Sequence, residues 1–306
     1  MSVISTGNHP KAMWPGVFKF FGMTYDSQPK QWKKLFDEHD STRKYEEVVA
    51  GRRFGPAPVL DEGASVTYQS HNQGPTTRST HVTYASGYIV TENERDDNQY
   101  PELSKLRAGA LAFSLDQTEE QVAANMFVRA FNSSYTFGDG KEMCATDHPT
   151  SAGNQSNELT TAADFSEAAL EDLLIQIRTA KDDKGNIIGL KPNSLHISPA
   201  NEFEAYRVLN STLRSGTADN DVNAVRSMGM LPGGVHVNQY FYDGDPDMWF
   251  IRTKVPPKTG LIRFNRRPYR FMRDNDFGTG NALAKADIRF SVTVGDWRAI
   301  FGTPGS

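Results

Sequence analysis

The chain has 306 residues, 38% hydrophobic and 23% charged, with 18 Phe and 11 Tyr, which excludes a disordered chain and allows more than one packing unit. A net charge of −4 excludes a protein whose whole surface grips nucleic acid, while leaving room for a local basic face. One cysteine excludes an internal disulfide, no apolar run suits a signal peptide or a membrane helix, and the sequence reads as a soluble protein folded in a reducing cytosol.

Residues 1–50 carry recurrent aromatics (Trp14, Phe18, Phe20, Phe21, Tyr25, Trp32, Phe36, Tyr45), but Gly, Pro and charged residues interrupt any sustained helical or strand period. Such a segment is too apolar for a free tail and too irregular to fold alone. It is expected to lie along another surface, in its own subunit or a neighbour. Residues 51–95 hold two alternating runs, SVTYQS and HVTYASGYIVTE, with Gly74-Pro75 as the turn between them. They predict a long hairpin poor in large aliphatics, marginal alone in water and in need of a partner.

Residues 101–132 predict a long helix opening at Pro101, with Leu103, Leu106, Ala110 and Phe113 on one face and Val122, Met126 and Ala130 continuing an apolar stripe. At ~1.5 Å per residue it would reach about 48 Å, and Gly109 or the Asp116 region could bend it. Two consecutive helices are the alternative. From 160 to 254 the pattern is mixed. Asp164 and Glu167 read as a capping box, followed by Leu170, Leu173, Leu174 and Ile177 at helical spacing. Gly185-Asn186 turns the chain, SLHIS reads as a strand, Ser198-Pro199 opens a helix towards Leu209 and Leu213, and GVHVNQYF and MWFIRT read as strands. Beyond Pro256-Pro257, LIRFNRRPYRFM and ADIRFSVTV are long strands, and GDWRAIFGTPGS closes the chain. There is no internal repeat, and arm and ribbon both need partners.

Several constellations invite a chemical reading. The stretch YTFGDGKEMCATDHPTSAG holds Cys144 and His148 with Asp139, Glu142 and Asp147. Zinc wants three or four ligands, and no second pair sits at a fitting spacing, since His196 and His236 lie in predicted strands. A cysteine nucleophile wants a lowered thiol pKa, and acidic neighbours work against that; a small buried side chain is the favoured reading. Asp243, Asp245 and Asp247 mimic the start of a calcium loop, but Met248 and Lys254 occupy the positions that need Gly and Glu. Gly278 and Gly280 begin a dinucleotide fingerprint that Leu283 breaks, so a loop is expected there. No catalytic residue, cofactor or metal is expected. The run RFNRRPYRFMR concentrates Arg263, Arg266, Arg267, Arg270 and Arg273, with acidic partners available in TENERDD. Pairing between subunits is the favoured role, through Arg52, Arg53, Arg78, Arg263, Arg266, Arg267 and Arg270 towards Glu92, Glu94, Asp96 and Asp97. Contact with nucleic acid is the alternative.

The pieces EGASVTYQSHNQG with HVTYASGYIVTENERDDN, FGDGKEMCATDHPTSAGNQSN, FSEAALEDLLIQIRTAKDDKGNIIGLKPNSLHISPANEFEAYRVLNS and RFSVTVGDWRAIFG are loose one by one and specific in this order. Together they resemble, over nearly the whole chain, the major capsid proteins of tailed bacteriophages with the Hong Kong 97 shell fold, in the branch of Mu-like major head subunits. The resemblance implies an α+β fold with an N-terminal arm (1–50), an E-loop hairpin (51–95), a long spine helix with the peripheral domain (96–160), an axial domain (161–254) and a return to the peripheral domain (255–306). It implies a structural subunit, not an enzyme, that self-assembles as hexamers and pentamers into an icosahedral head around double-stranded DNA. The DNA would be contacted non-specifically. The location would be the virion, after assembly in the host bacterial cytoplasm with no membrane involved.

Partners implied are a scaffolding protein and a portal; the resemblance leaves open whether decoration proteins sit outside the shell. With no long charged helical leader before the arm, the scaffold is expected to be a separate protein. Gly51, Gly87 and Gly138 are expected hinges. Some members of the fold weld the E-loop to a neighbour through a lysine; between Tyr45 and Ser104 this sequence has none, so no such cross-link is expected. An encapsulin-like compartment shell is the near alternative, and a small Cys/His hydrolase using Cys144 and His148 the distant one.

Overall fold

The computed structural model describes residues 14–70, 73–96, 100–212, 222–255 and 259–306. In chain order the elements are α1 (Trp14–Ser27), α2 (Trp32–Leu35), β1 (Asp37–Asp40), β2 (Tyr45–Val49), β3 (Thr76–Thr80), β4 (Val82–Val90), α3 (Glu92–Asp96), α4 (Tyr100–Val128), α5 (Glu167–Thr179), β5 (Pro192–Ile197), α6 (Glu202–Asn210), α7 (Ala224–Met228), β6 (Gly234–Val237), β7 (Trp249–Thr253), β8 (Leu261–Asn275), β9 (Ala282–Val294) and β10 (Ile300–Thr303). They form two four-stranded sheets, ordered β1-β8-β9-β4 and β10-β7-β5-β6, and a separate two-stranded ribbon, β2-β3. The fold is α+β, as expected.

The first sheet is built on the β8–β9 hairpin. Alternation along β9 turns Ala282, Ala284, Ala286, Ile288 and Phe290 to one buried face. The register of β8 shifts around Arg267, next to Pro268, which cannot donate to a ladder. Against the small side chains of β9 lies α4, unbroken over 29 residues, so the single-helix reading holds and the two-helix alternative does not. Its inward face is Ala108, Leu111, Ala112 and Leu115, whereas Leu106 and Phe113 point outward at 72% and 46% exposure. This reverses the expected face in the first half of the helix, whereas Val122, Met126 and Ala130 pack inward as expected. The helix carries two apolar stripes, and the one with alanines faces inward because it lets the backbone approach the alanine row of β9 closely. Gly109 marks no bend: a Cβ there would stand 3.2 Å from Phe20 Cε1, where α1 crosses.

The arm holds more regular structure than its sequence suggested. Pro15 starts α1 at a position where its missing N–H costs nothing, and Phe21 and Tyr25 are buried on α4 and beside Phe271. β1 runs parallel to β8, with Asp37 opposite Ile262. The ribbon also differs from expectation. SVTYQS is not a strand; Tyr45–Val49, assigned above to the arm, pairs with Thr76–Thr80 instead. Gly74-Pro75 closes the neck of the loop, with Ala50 N–H donating to Pro75 O at 2.9 Å. A Cβ on Gly74 would fall 2.1 Å from Ala50 O. The expected return strand is β4, paired along its length with β9 from Val82↔Phe290 to Val90↔Ala282.

The second sheet buries Leu195, Ile197, Trp249, Ile251 and Phe301 against α5, which presents Leu170, Leu173, Leu174 and Ile177 as expected. Four such side chains stabilise by about 2 kcal/mol each. The cap of α5 is not Asp164: Ser166 Oγ accepts the Ala169 N–H at 3.2 Å, while Asp164 accepts the Ser306 N–H at 2.9 Å. The serine sits one residue before the helix, where its oxygen reaches the third N–H. β10 pairs antiparallel with β7, so the last residues of the 255–306 segment finish in this second sheet. A third cluster (Leu35, Phe36, Phe127, Phe241, Phe250, Leu261, Ile300) joins the two sheets below the end of α4.

Candidate functional site

The Cys144–His148 stretch is built as a joint. Cys144 is fully buried, its N–H donating to Ala130 O at 2.9 Å. Burial, then the Glu158 and Glu142 carboxylates, push its thiol well above the usual range, the opposite of a nucleophile's environment. His148 is equally buried, with Nδ1 2.7 Å from Asp139 Oδ2, Nε2 3.0 Å from Asn157 Oδ1, and its ring stacked on Trp297 at 4.5 Å. Asn157 completes the joint. Its Nδ2 donates to Met143 O (2.9 Å), Trp297 O (3.2 Å) and Ile300 O (3.0 Å), and its Oδ1 accepts the Ala145 N–H at 2.9 Å. The loop after α4 is thereby stapled to β10. Among the described residues no group of three His, Cys, Asp or Glu could hold a metal.

The loop between β2 and β3, described over residues 50–70 and 73–75, has a fixed root and an exposed tip. At the root, Arg52 Nε lies 3.9 Å from Asp183 Oδ2 and Arg53 N–H donates to Asp183 Oδ1 at 3.3 Å, tying the loop to the turn after α5. Towards the tip, Gln69 crosses the loop, its Oε1 accepting the Gly55 N–H at 2.7 Å and its Nε2 donating to Pro56 O at 3.2 Å. Around that cross-link Phe54, Val59, Leu60, Val66 and Tyr68 are exposed by 58, 94, 55, 62 and 93%. Five large apolar side chains facing water on one loop form a surface that needs covering.

Of the glycines read as hinges, Gly51 lies at this root, where an added Cβ would meet nothing within 4 Å. Gly87 sits inside β4 opposite Lys285, where a Cβ would fall 2.6 Å from Ala284 O. Gly138 packs against the ribbon: a Cβ would fall 2.6 Å from Thr76 O, and its N–H donates to Thr77 Oγ1 at 3.1 Å. Close approach is reason enough for glycine at the last two positions.

The arginines divide by burial. Arg263 is 2% exposed, bonded to Glu119 and 3.3 Å from Glu38, with its guanidinium 3.9 Å over the Trp32 ring. Its own chain therefore engages it from several sides. Arg267 and Arg270 share Asp287, which is 4% exposed, the Arg270 contact being 3.2 Å. Arg266 Nε donates to Arg43 O at 3.0 Å. Arg78 pairs with Glu47 across the ribbon at 2.8 Å and remains exposed. Glu94 takes Arg107 in two bonds of 2.6 and 3.1 Å, and the Glu92 carboxylate lies against Gly280, where a Cβ would meet Oε2 at 2.4 Å. Asp96 ends α3 with its side chain outside the described set, and Asp97 lies outside the described residues.

Sequence reasoning missed one cluster. Asp116, Glu119 and Glu120 interrupt the inward stripe of α4 and are all buried. Lys30 takes Asp116, Tyr25 and Arg263 take Glu119, and Glu120 accepts the Gln31 and Trp32 N–H groups at 2.8 and 3.0 Å. Burial pushes Glu120 up to about 7. The available signal was three carboxylates at core spacing, which can stay buried only if a partner segment satisfies them. The arm is that segment.

Residues 74–302 match the family model described as phage capsid protein. No curated protein matches the sequence. Among solved structures, the chain is similar to the capsid of a native GTA particle (12% identity, TM-score 0.56, covering 90% of each chain). It is also similar to a virus-like particle from Pyrococcus furiosus (13%, 0.52, 94% of this chain and 97% of that one). A third is the capsid of Cyanophage P-SCSP1u (12%, 0.52, 90% and 88%). At these identities the likeness is one of fold.

Proposed function

The chain belongs to the phage capsid protein family and is a major capsid structural subunit; on that premise we propose that the loop of residues 50–75 and the outward face of α4 make its principal contacts with neighbouring subunits. The observation that carries this is the exposed apolar set at the loop tip, Val59 and Tyr68 above all, at 94% and 93%. An isolated subunit gains nothing by presenting it, whereas a shell can cover it on every copy. Leu106 and Phe113 on α4 supply a second apolar strip of the same kind. In this reading the loop is the E-loop, α4 the spine helix, the β10-β7-β5-β6 unit the axial domain, and Arg52 and Arg53 set the angle at which the loop leaves its subunit.

The subunit occurs as hexamers and pentamers and works with a scaffolding protein and a portal. Packaged double-stranded DNA meets a wall of low net charge, −4 over the chain, which holds it without specific contacts. The shell matures as part of a virion assembled in the host cytoplasm. The subunit carries no catalytic role: the buried thiol and imidazole of Cys144 and His148 serve the joint after α4. The Mu-like branch of the family is part of this proposal.

The test is Val59→Asp with Tyr68→Asp in the full-length chain. The variant should keep the wild-type circular dichroism spectrum and lose about tenfold or more of its sedimenting particles, since a charge in a repeated apolar contact is penalised at every copy. Particles at wild-type yield would remove the loop from the shell contacts.

A further inference from the structure

Among the described residues, two surfaces at opposite ends of the β10-β7-β5-β6 sheet carry opposite charge. β5 and β7 are antiparallel, with Pro192 opposite Thr253 at one end and Ile197 opposite Trp249 at the other. The six residues of β5 hold these ends about 17 Å apart. At the Pro192 end a cleft is lined by Arg178, Lys191 and Lys254 together with Met228 and Met230, and none of its described lining residues is a carboxylate. Lys254 N–H donates to Lys191 O at 3.0 Å, so the two exposed lysines leave adjacent strand ends side by side. Arg178 reaches Met230 Sδ at 3.1 Å across the cleft.

At the Ile197 end, the turn before β7 reads YDGDPD and exposes Asp243 and Asp245 beside Tyr242, itself 59% exposed. The turn is braced. Gly244 touches α4 so closely that a Cβ would fall 2.5 Å from Val128 Cγ1, and Asp245 Oδ1 accepts the Asp247 N–H at 3.1 Å. Asn201 Nδ2 donates to Pro246 O and Asp247 O, both at 3.3 Å, and sets the start of α6 alongside. There Glu202 and Phe203 are exposed, the phenylalanine by 73%.

We propose that these surfaces are two halves of one contact, in which the acidic, aromatic end of one copy's second sheet seats in the basic, methionine-lined cleft of the next copy. This rests on the shell-subunit reading and adds which surfaces meet. Complementary patches at opposite ends of one domain make a head-to-tail contact, and such contacts close into rings when the rotation divides a full turn. The occupant is a second copy of this chain because the cleft's complement, in both charge and apolar character, is on the chain itself. Phosphates would use the cations but not the methionines, and would leave the aromatic acidic end uncovered. Each exposed pair contributes little, but every subunit in a ring repeats it, and opposite charge fixes register and speeds encounter.

The experiment uses the full-length chain in three forms: Lys191→Glu with Lys254→Glu, Asp243→Lys with Asp245→Lys, and all four together. Circular dichroism checks folding, which substitution of four exposed side chains leaves intact; Lys191→Gln with Lys254→Gln replaces the first pair if it does not. Sedimentation and electron microscopy then measure rings and shells made alongside the other head proteins of the same phage. Each double variant should lose about tenfold or more of its assembled material, and the quadruple variant should recover it. A double variant that assembles like the wild type, or a quadruple variant as defective as its folded parents, overturns the contact and leaves the shell function standing. A wild-type chain that forms neither rings nor shells overturns the shell reading and this contact with it.

Discussion

His196 stands on β5 with its ring 1% exposed, Nε2 2.9 Å from Ser194 Oγ and the His236 ring 5.2 Å away. Burial, then His236 and Arg252, pull its pKa from the ordinary histidine value down to about 3. Unfolded, the same ring takes a proton near pH 6.5. The stability contributed by keeping it neutral is therefore full above pH 6.5 and is lost as pH falls towards 3, a loss on the order of a few kcal/mol. Glu120 has the opposite sign. Raised to about 7 from an unfolded value of 4.5, it favours the folded state most at low pH and loses that contribution as pH climbs through 7. Between about pH 5 and 7 the two nearly cancel, whereas below about pH 4.5 Glu120 is protonated in both states and only the histidine contribution still falls, so thermal unfolding of the free subunit is expected at lower temperature at about pH 3.5 than at about pH 4.5. His196→Leu should flatten that slope. A variant as acid-sensitive as the wild type would place the titration elsewhere.

At the scale of elements, the arm is held to α4 by polar groups as much as by Phe21 and Tyr25. Glu120→Ala leaves two backbone N–H groups, of Gln31 and Trp32, without their acceptor, at a cost of about 2–4 kcal/mol. Hydrogen exchange should speed up in residues 25–35 and not in α5; uniform exchange across both would mean that the arm is held by its apolar contacts alone. The same arm shows where sequence reasoning stopped. Its helix carries Gly16 and Gly22 and depends on α4 for its stability, so neither propensity nor an unbroken stripe announces it. β2 pairs with a strand beyond residues 50–75, and nothing local marks such a partner. The α5 stripe and β9 were legible because each buries a face whose period is written in consecutive residues, and β5, β7 and β8 because runs rich in apolar and aromatic residues bounded by turn residues read as strands. The inward face of the first half of α4 was not, because two apolar stripes compete there and only the alanine row of β9 decides between them. The candidate site was half legible. The apolar residues of the loop tip can be read in the sequence though the strand expected there is not formed, whereas the in-chain engagement of Arg263, Arg267 and Arg270 depends on Glu119 and Asp287, which only folding brings near.

At the scale of the whole molecule, two sheets joined at the end of α4 leave exposed the surfaces that a shell would use: a projecting loop, an outward helix face and two oppositely charged sheet ends. None of these contacts requires a covalent bond. With no lysine between Tyr45 and Ser104, the loop offers no amine for an isopeptide weld. Particles boiled in denaturant should therefore run as a single monomer band, and a ladder of multiples would refute this.

The most direct test is cryo-electron microscopy of particles assembled from the full-length chain, at a resolution that traces the backbone. Closed icosahedral shells are expected in which the 50–75 loop of every subunit lies on a neighbour with Val59 and Tyr68 covered. Shells whose loops fold back on their own subunit, or a chain that stays monomeric beside its phage's other head proteins, would contradict this.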